Sequence, residues 1–234
     1  MKNRKIYRLY EHIKPFLNYS IDVEEPFGDG KVLVIAPHQI EEAVGCGGTL
    51  IRHTEEGGYI EIAFCTSATP ERMKEAAQSA SLLGSKKNHF LQFYSGGLNI
   101  NEKFEIALQK LFIQVKPDIV FLPFWIDNHP DNTEISKALL KIGKNKKFSF
   151  MVYAYSIWTP LIANCLCDIS GVWETKERAI KCYKSQTENR NYVKIARSIN
   201  SYWGEIGKQK MNFAEPFFRA SFKEYIALGK KILK

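Results

Sequence analysis

Residues 31–49 read Lys-Val-Leu-Val-Ile-Ala-Pro-His-Gln-Ile-Glu-Glu-Ala-Val-Gly-Cys-Gly-Gly-Thr. The turn signal Gly28-Asp29-Gly30 precedes this stretch, so the short β-branched run at 31–37 predicts a buried strand. After the glycine-rich part, the amphipathic run Thr49 to Glu56 predicts a helix. A strand, a loop and a helix in this order form the first unit of an α/β fold.

The same alternation continues along the chain. Strands that alternate with helices of about ten to fifteen residues predict βαβ units. We therefore predict an α/β fold, Rossmann-like, with a mostly parallel sheet covered by helices on both faces. The prediction is a single domain over residues 1–234, with residues 1–20 as an N-terminal helix packed on it. The further predicted strands are Ile60 to Thr66, His89 to Phe93, Ile119 to Pro123 and Phe148 to Tyr155, and the helices are Pro70 to Leu83, Glu102 to Val115, Thr133 to Ile142 and Lys176 to Ile199.

The composition is that of an ordinary globular protein, with 234 residues, 45% hydrophobic and 25% charged. No apolar stretch reaches the roughly 20 residues that a membrane-spanning helix requires, so we expect no membrane span. The charged segment Met1 to Phe16 lacks the apolar run of a signal peptide. The whole chain has five scattered cysteines, which suit reduced thiols, so we expect a cytoplasmic protein.

The net charge of +8 raises the question of an anionic partner. The basic residues are spread along the chain in small clusters, and no nucleic-acid motif accompanies them, so we expect no nucleic-acid partner. A phosphorylated sugar or a nucleotide sugar would use such a surface equally well, and plain solubility is the third explanation. The oligomeric state is not predicted.

Two loops at predicted strand ends contain residues suited to metal binding or catalysis. In an open parallel sheet, ligands bind beyond the carboxyl ends of the strands. One loop contains His38 and Glu41, and the other, residues 127–132, contains His129 and Asp131. A histidine followed three residues later by a carboxylate, facing a second histidine loop, is compatible with a three-ligand zinc site. Both histidines could equally have only hydrogen-bonding roles.

At these residues the chain resembles the LmbE/PIG-L family of zinc-dependent N-deacetylases. That family has a His-Pro-Asp-Asp-Glu loop leading into Gly-Cys/Met-Gly-Gly-Thr, and later a His-Pro-Asp-His loop. The run 45–49 aligns with the family pattern without a gap. Further similarities at 72–75, 116–118, 183–186 and 214–217 extend the resemblance over roughly residues 31–218.

The resemblance implies a role for each position of the two loops. His38 and Glu41 lie on the first and second zinc ligands of the family, and Asn132 lies on the third. His129 and Asp131 match the catalytic histidine and its carboxylate partner. Ile40 stands where the family has its general base.

Two of these residues weaken the chemistry that the resemblance implies. Ile40 cannot accept a proton, and general-base catalysis is typically worth about 10²–10⁴ in rate. The neutral amide of Asn132 is a poor zinc ligand compared with an imidazole. We therefore expect a degenerate site in which the implied cofactor, zinc, binds with low occupancy. Glu42 could replace the lost base, and His129 could turn inward as a ligand.

Two functions follow as hypotheses. The first is an N-deacetylase-type enzyme with an atypical metal site, which acts on an N-acetylated amino sugar or a related small amide. The second is a metal-free relative that binds a sugar or a partner protein without hydrolysis. A nucleotide-binding function is weaker, because Gly45-Cys46-Gly47-Gly48 lacks the Gly-x-Gly-x-x-Gly spacing. Arg72 is the expected substrate-binding residue, although it could also be a surface helix residue. We predict that one cleft contains His38, Glu41, Glu42, His129, Asp131 and Asn132.

Overall fold

A mixed sheet forms the centre of this computed structural model, which describes residues 11, 13–16, 21–25, 28–96, 98, 102–145, 148–207 and 211–233. Its strands are β1 Asp22–Glu24, β2 Lys31–Ala36, β3 Tyr59–Thr66, β4 Lys87–Phe93, β5 Ile119–Pro123, β6 Met151–Tyr155, β7 Cys165–Asp168 and β8 Ala214–Ser221. Within the described residues their spatial order is β1-β7-β8-β6-β5-β2-β3-β4. Every neighbouring pair is parallel except the two pairs that β8 makes, with β6 and β7.

Helices cover both faces of the sheet, so the predicted fold class is confirmed. The helices are α1 Glu41–Glu55, α2 Pro70–Leu82, α3 Glu102–Val115, α4 Pro130–Asn145, α5 Trp173–Lys181, α6 Lys184–Thr187, α7 Tyr192–Ile206 and α8 Phe222–Ile232. Apolar residues of α3, α4 and α8 form one core with the sheet, and those of α1, α2 and α5 form another. Most of the predicted N-terminal helix lies outside the described residues. No helix in the described part of the chain is long and apolar enough to cross a membrane.

Most elements lie where the sequence pattern predicts them, but the part of the sheet around β8 was not predicted. The predicted bounds of α3 and β5 agree with the structure, and those of the other predicted strands, α2 and α4 differ by up to three residues. The predicted helix 176–199 is instead divided among α5, α6 and α7. The last of these begins anew because the side chain of Asn191 caps it by accepting the N–H of Lys194. Strand β8 escaped prediction because Pro216 and two charged residues interrupt its apolar pattern.

The glycine-rich stretch lies inside α1, so the prediction that it is a loop before a helix starting at Thr49 is wrong. Its glycines allow close packing instead of a turn. A β-carbon added at Gly45 would lie 2.5 Å from the ring of Tyr155, and one at Gly48 would lie 2.6 Å from the side chain of Ile169. Helix α1 therefore lies closer to its neighbours than residues with side chains would permit.

A buried ion pair joins α1 to β8 and α5. Lys176 and Glu215 are both fully buried, and Nζ of the lysine lies 2.5 Å from Oε1 of the glutamate. The backbone N–H groups of Gly48 and Thr49 each donate to Glu215 over 2.8 Å. Lys176 also donates to the carbonyl of Val44, which is the usual helical partner of the Gly48 N–H. The ion pair thus binds the N–H of Gly48 and the carbonyl of Val44, which are normally partners in one helical hydrogen bond.

Glu42 is a second buried acid beneath α1. Its Oε1 accepts a short hydrogen bond from the Tyr183 hydroxyl and a longer one, 3.4 Å, from Ser79. Its Oε2 has no hydrogen-bond partner among the described residues. Burial raises the pKa of Glu42 to about 7, although the hydrogen bond from Tyr183 opposes the shift. The neutral carboxylic acid is therefore the favoured form in the folded protein over much of the acidic range.

We predict that Gly45→Ala destabilises the protein by about 1–3 kcal/mol relative to Gly47→Ala. Both changes gain the same helix propensity, but only the first places a methyl group against the Tyr155 ring. The nearest atom to a β-carbon at Gly47 is a methyl of Leu83, at 3.2 Å. Urea unfolding midpoints of the two variants measure the difference. Equal midpoints would show that the glycine at 45 is not needed for close packing.

We predict that Glu42→Gln changes the pH dependence of stability. The acid titrates near 4.5 when unfolded and near 7 when folded, so the folded state holds more protons in between. The unfolding free energy of the wild type should therefore fall by up to about 3 kcal/mol as the pH rises through this window. Glutamine lacks this titration, so the variant should gain stability relative to wild type between about pH 4.5 and pH 8. Urea unfolding of both proteins across this pH range tests the prediction. Parallel plots of unfolding free energy against pH would contradict it.

Candidate active site

The order of the strands brings the two sequence loops together. Strand β2 pairs with β5 in parallel, so the loops that follow them leave the same edge of the sheet side by side. His38 comes from the loop after β2, and His129 from the loop after β5. Their ring centroids lie 4.5 Å apart in an edge-to-face arrangement. Residues separated by about ninety positions in the chain thus share one site.

An imidazole lies between two carboxylates at the centre of this site. Nδ1 of His38 lies 3.0 Å from Oε1 of Glu41, and Nε2 lies 2.8 Å from Oδ2 of Asp131. Both carboxylates are buried. Asp131 also accepts the backbone N–H groups of Gly96 and Leu98, each over 3.0 Å. The loop that follows β4 therefore helps to hold Asp131 against His38.

The three groups shift one another's protonation. Burial alone would lower the pKa of His38, but hydrogen bonds and charge from Asp131 and Glu41 outweigh it and raise this pKa to about 9. Burial alone would raise the pKa of Asp131, but the hydrogen bond from His38 and those from the backbone lower it to about 2. Below about pH 9, an imidazolium ion thus lies beside the Asp131 carboxylate.

Glu41 is held from two further sides. Nδ2 of Asn132 donates to its Oε2 over 3.1 Å, and the indole N–H of Trp158 donates to its Oε1 over 3.4 Å. The other side-chain atom of Asn132, Oδ1, is buried and has no partner among the described residues. Position 132 therefore supports Glu41 and leaves one buried oxygen unused by the protein.

Three side chains could hold a metal ion. His38, His129 and Asp131 each offer a ligand atom, and these atoms all lie within 4.8 Å of one another. Nδ1 of His129 receives only a long bond, 3.3 Å, from the backbone N–H of Asp131. The set shares His38 with the one that the family resemblance implied, and it includes His129 and Asp131, to which the resemblance gave catalytic roles.

A cleft of about 690 Å³ opens over this cluster. Arg72 of α2 lines it, as does Arg190, which lies between α6 and α7. Within the described part of the chain, no carboxylate lies within 4.0 Å of either guanidinium group. Sequence analysis missed Trp158 and Arg190, although Trp158 follows the end of β6 and the strand-end rule could have found it. The lining residues are His38, Ile40, Glu41, Arg72, Ser95, Asn128, His129, Trp158, Gln186, Asn189, Arg190 and Tyr192.

Ile40 lines the same cleft in an unusual backbone conformation. It precedes the first residue of α1 with a φ of 91°, in the left-handed region, and its side chain makes no capping hydrogen bond. A β-branched residue is rare there, and such strain costs on the order of 1–3 kcal/mol. Aspartate and asparagine tolerate this conformation better. The backbone at position 40 therefore suits an aspartate better than the isoleucine that the chain has.

Of the six side chains predicted to share one cleft, His38, Glu41 and His129 line it. Asp131 and Asn132 are buried beneath it, bonded to His38 and Glu41, whereas Glu42 belongs to the core and the prediction is wrong for it. Successive residues on an α-helix point about 100° apart. Because Glu41 faces the cleft at the start of α1, Glu42 points into the core towards Tyr183. It is therefore not placed to act as the proton acceptor of the cleft.

Similarity to known proteins agrees with this geometry. The family model described as PIG-L: GlcNAc-PI de-N-acetylase matches residues 33–142, which include both site loops. A diacetylchitobiose deacetylase from Thermococcus kodakarensis is 27% identical over 221 aligned residues, covering 79% of this chain and 82% of that protein.

Solved structures share the fold. N,N'-diacetylchitobiose deacetylase from Pyrococcus horikoshii has a TM-score of 0.70 at 23% identity, covering 96% of this chain and 94% of its own. A conserved protein from Thermus thermophilus has a TM-score of 0.72 at 30% identity, covering 81% of this chain and 94% of its own. With both loops inside the matched segment, and with this identity over nearly the whole Thermus protein, the chain belongs to the LmbE/PIG-L family.

Proposed function

We propose that this protein is an N-deacetylase-type hydrolase that acts on an N-acetylated amino sugar or a related small amide. The observation that carries the proposal is the cluster of His38, His129 and Asp131 at the base of a cleft of about 690 Å³. Pockets of about 300–1,000 Å³ are typical of small-molecule sites. The family and the names of two relatives, both diacetylchitobiose deacetylases, supply the reaction class.

The residues of the cluster fit a zinc ion. Two imidazoles and a carboxylate form one of the ligand sets of catalytic zinc sites. The unpartnered buried Oδ1 of Asn132 adds an oxygen near Glu41. When bound, zinc would supply a water of lowered pKa and polarise the amide carbonyl.

A proton competes with the cation at this site. His38 must be neutral to bind zinc, and its two carboxylate partners stabilise the protonated ring. We therefore propose low zinc occupancy at neutral pH. In the arrangement implied by the family, the lack of an imidazole at position 132 leads to the same expectation.

Glu41 is the residue that we assign as proton acceptor. Ile40 has no titratable group, whereas the Glu41 carboxylate lines the cleft and is oriented by Asn132 and Trp158. In this arrangement Glu41 takes the proton of the attacking water, and Arg72 binds polar groups of the substrate. The arrangement implied by the family differs from this one. In it, Glu41 and residue 132 are zinc ligands, and His129 and its partner Asp131 are the catalytic residues.

We predict that two isosteric variants separate these arrangements. Glu41→Gln should keep the zinc content of wild type and lose turnover by about 10²–10⁴, because only the proton acceptor is removed. Asp131→Asn should lose both zinc and turnover. Elemental analysis after zinc loading and hydrolysis of N-acetylglucosamine measure the two properties. Loss of zinc from Glu41→Gln and its retention in Asp131→Asn would favour the arrangement implied by the family. If no N-acetylated sugar is hydrolysed, with zinc present in the assay, the protein is a binding protein.

We predict that Ile40→Asp, Glu41→Asp and Asn132→His together rebuild the arrangement implied by the family and so raise zinc affinity and turnover, whereas no single change raises them. In that arrangement the three positions supply a base and two ligands that work as a unit, so their effects should be non-additive. Steady-state hydrolysis of N-acetyl amino sugars, with metal content measured on the same samples, compares wild type with the triple variant. A wild-type rate on the order of 1–10³ per second would show that the site is not impaired.

A further inference from the structure

A second groove of about 600 Å³ lies beside the cleft and shares Trp158 with it. We propose that this groove binds an apolar alkyl or aryl substituent of the substrate while the amino sugar occupies the cleft. The inference deepens the proposed function, since it names the substrate class. The substrate would then be an N-acetylated amino sugar that carries an apolar group at its far end.

The groove differs in chemistry from the cleft. Among the described residues, no charged side chain lines it, although 25% of the residues in the chain are charged. The cleft, in contrast, has two arginines, two histidines and a carboxylate. An anionic or cationic group would therefore find no charged partner among the described lining residues of the groove. Its lining residues are Ser156, Ile157, Trp158, Thr159, Pro160, Leu161, Ser198, Ile199, Tyr202, Trp203 and Pro216.

Two of the hydroxyl groups in the lining are already engaged within the protein. Ser156 donates to the carbonyl of Thr159 over 2.6 Å, and Oγ1 of Thr159 accepts the N–H of Asn128 over 3.0 Å. A second sugar ring would need several hydrogen-bond partners, and buried hydroxyls left without them are costly. Ser198 and Tyr202 supply the other two hydroxyl groups of the described lining, which are few partners for a second sugar ring, so an apolar occupant is favoured over a second saccharide.

Trp158 connects the groove to the reacting centre. Its indole N–H donates to Glu41, and the guanidinium of Arg190 lies 4.7 Å from its ring centroid. Because Trp158 lines both the cleft and the groove, a ligand that runs along the edge of its ring beside Arg190 would reach from one into the other. At the end of the groove away from the cleft, the side chain of Tyr202 is 59% exposed. A ligand in the groove would cover part of this aromatic surface.

The test is a titration of three ligands by calorimetry. N-acetylglucosamine probes the cleft alone, N,N'-diacetylchitobiose adds a sugar, and octyl N-acetyl-β-D-glucosaminide, used below its micelle concentration, adds an apolar chain. Each buried methylene contributes about fourfold in affinity. We expect the octyl glycoside to bind the wild type at least about tenfold more tightly than either of the other two ligands.

Two substitutions on α7 supply the matched pair. Ile199→Asp places a charge in the groove lining and should remove the advantage of the octyl glycoside without changing N-acetylglucosamine binding. Ile206→Asp, two turns further along the helix and outside the lining, replaces an isoleucine that is 47% exposed and should leave the advantage intact. Tyr202→Ser is the second groove variant if Ile199→Asp does not fold, and it should reduce the advantage.

Several results would overturn the inference. These are equal binding of all three ligands, tighter binding of diacetylchitobiose than of the octyl glycoside, or an advantage that survives both groove variants. A wild-type dimer in light scattering that Ile199→Asp dissociates would also overturn it, because a second copy would then cover the groove. These titrations do not require turnover. Groove-dependent binding without deacetylation of any ligand would reject the proposed hydrolase and leave the groove assignment supported.

Discussion

The ion pair between Lys176 and Glu215 fixes α1 against the sheet, and the site depends on the position of that helix. Removing two charges from water costs several kcal/mol per ion, which is repaid only when every polar atom is satisfied. Here Glu215 binds backbone N–H groups of α1, and Lys176 binds a carbonyl of α1 and the side chain of Asn200 on α7. Loss of either partner would strand the other charge, at a cost of about 3–5 kcal/mol. The helix therefore has little freedom to slide along its axis.

The first turn of this helix contains Glu41, which lines the cleft. With α1 held in place by the ion pair and by the close contact at Gly45, Glu41 faces the cleft and Glu42 faces the core. A carboxylate in the first turn of a helix is also stabilised by the helix dipole. The neighbouring strands β2 and β5 then set the distance between His38 and His129. One rigid helix and one pair of strands thus define most of the site.

Charge balance explains how the site differs from the pattern of its family. The protonated His38 supplies a positive charge between the carboxylates of Glu41 and Asp131. The isoleucine at position 40 removes a further carboxylate from the same place. The site therefore carries less negative charge than a cluster with an additional aspartate. The strained φ of Ile40 remains as a local cost of that replacement.

Local patterns in the chain were sufficient to predict the α/β fold, most strand and helix positions, and the two loops of the site. Apolar runs, helical spacing and turn residues act over a few positions, so they can be recognised without knowing the fold. The same patterns mispredicted the glycine-rich stretch as a loop, because what those glycines do depends on Tyr155 and Ile169, which are distant in the chain. They also could not place Glu42 in the core or bring Asp131 within 2.8 Å of His38. Strand β8, the Lys176–Glu215 pair and the groove beside Trp158 all arise from contacts between distant segments. Such contacts depend on which surfaces the folded chain brings together, and only the tertiary structure specifies them.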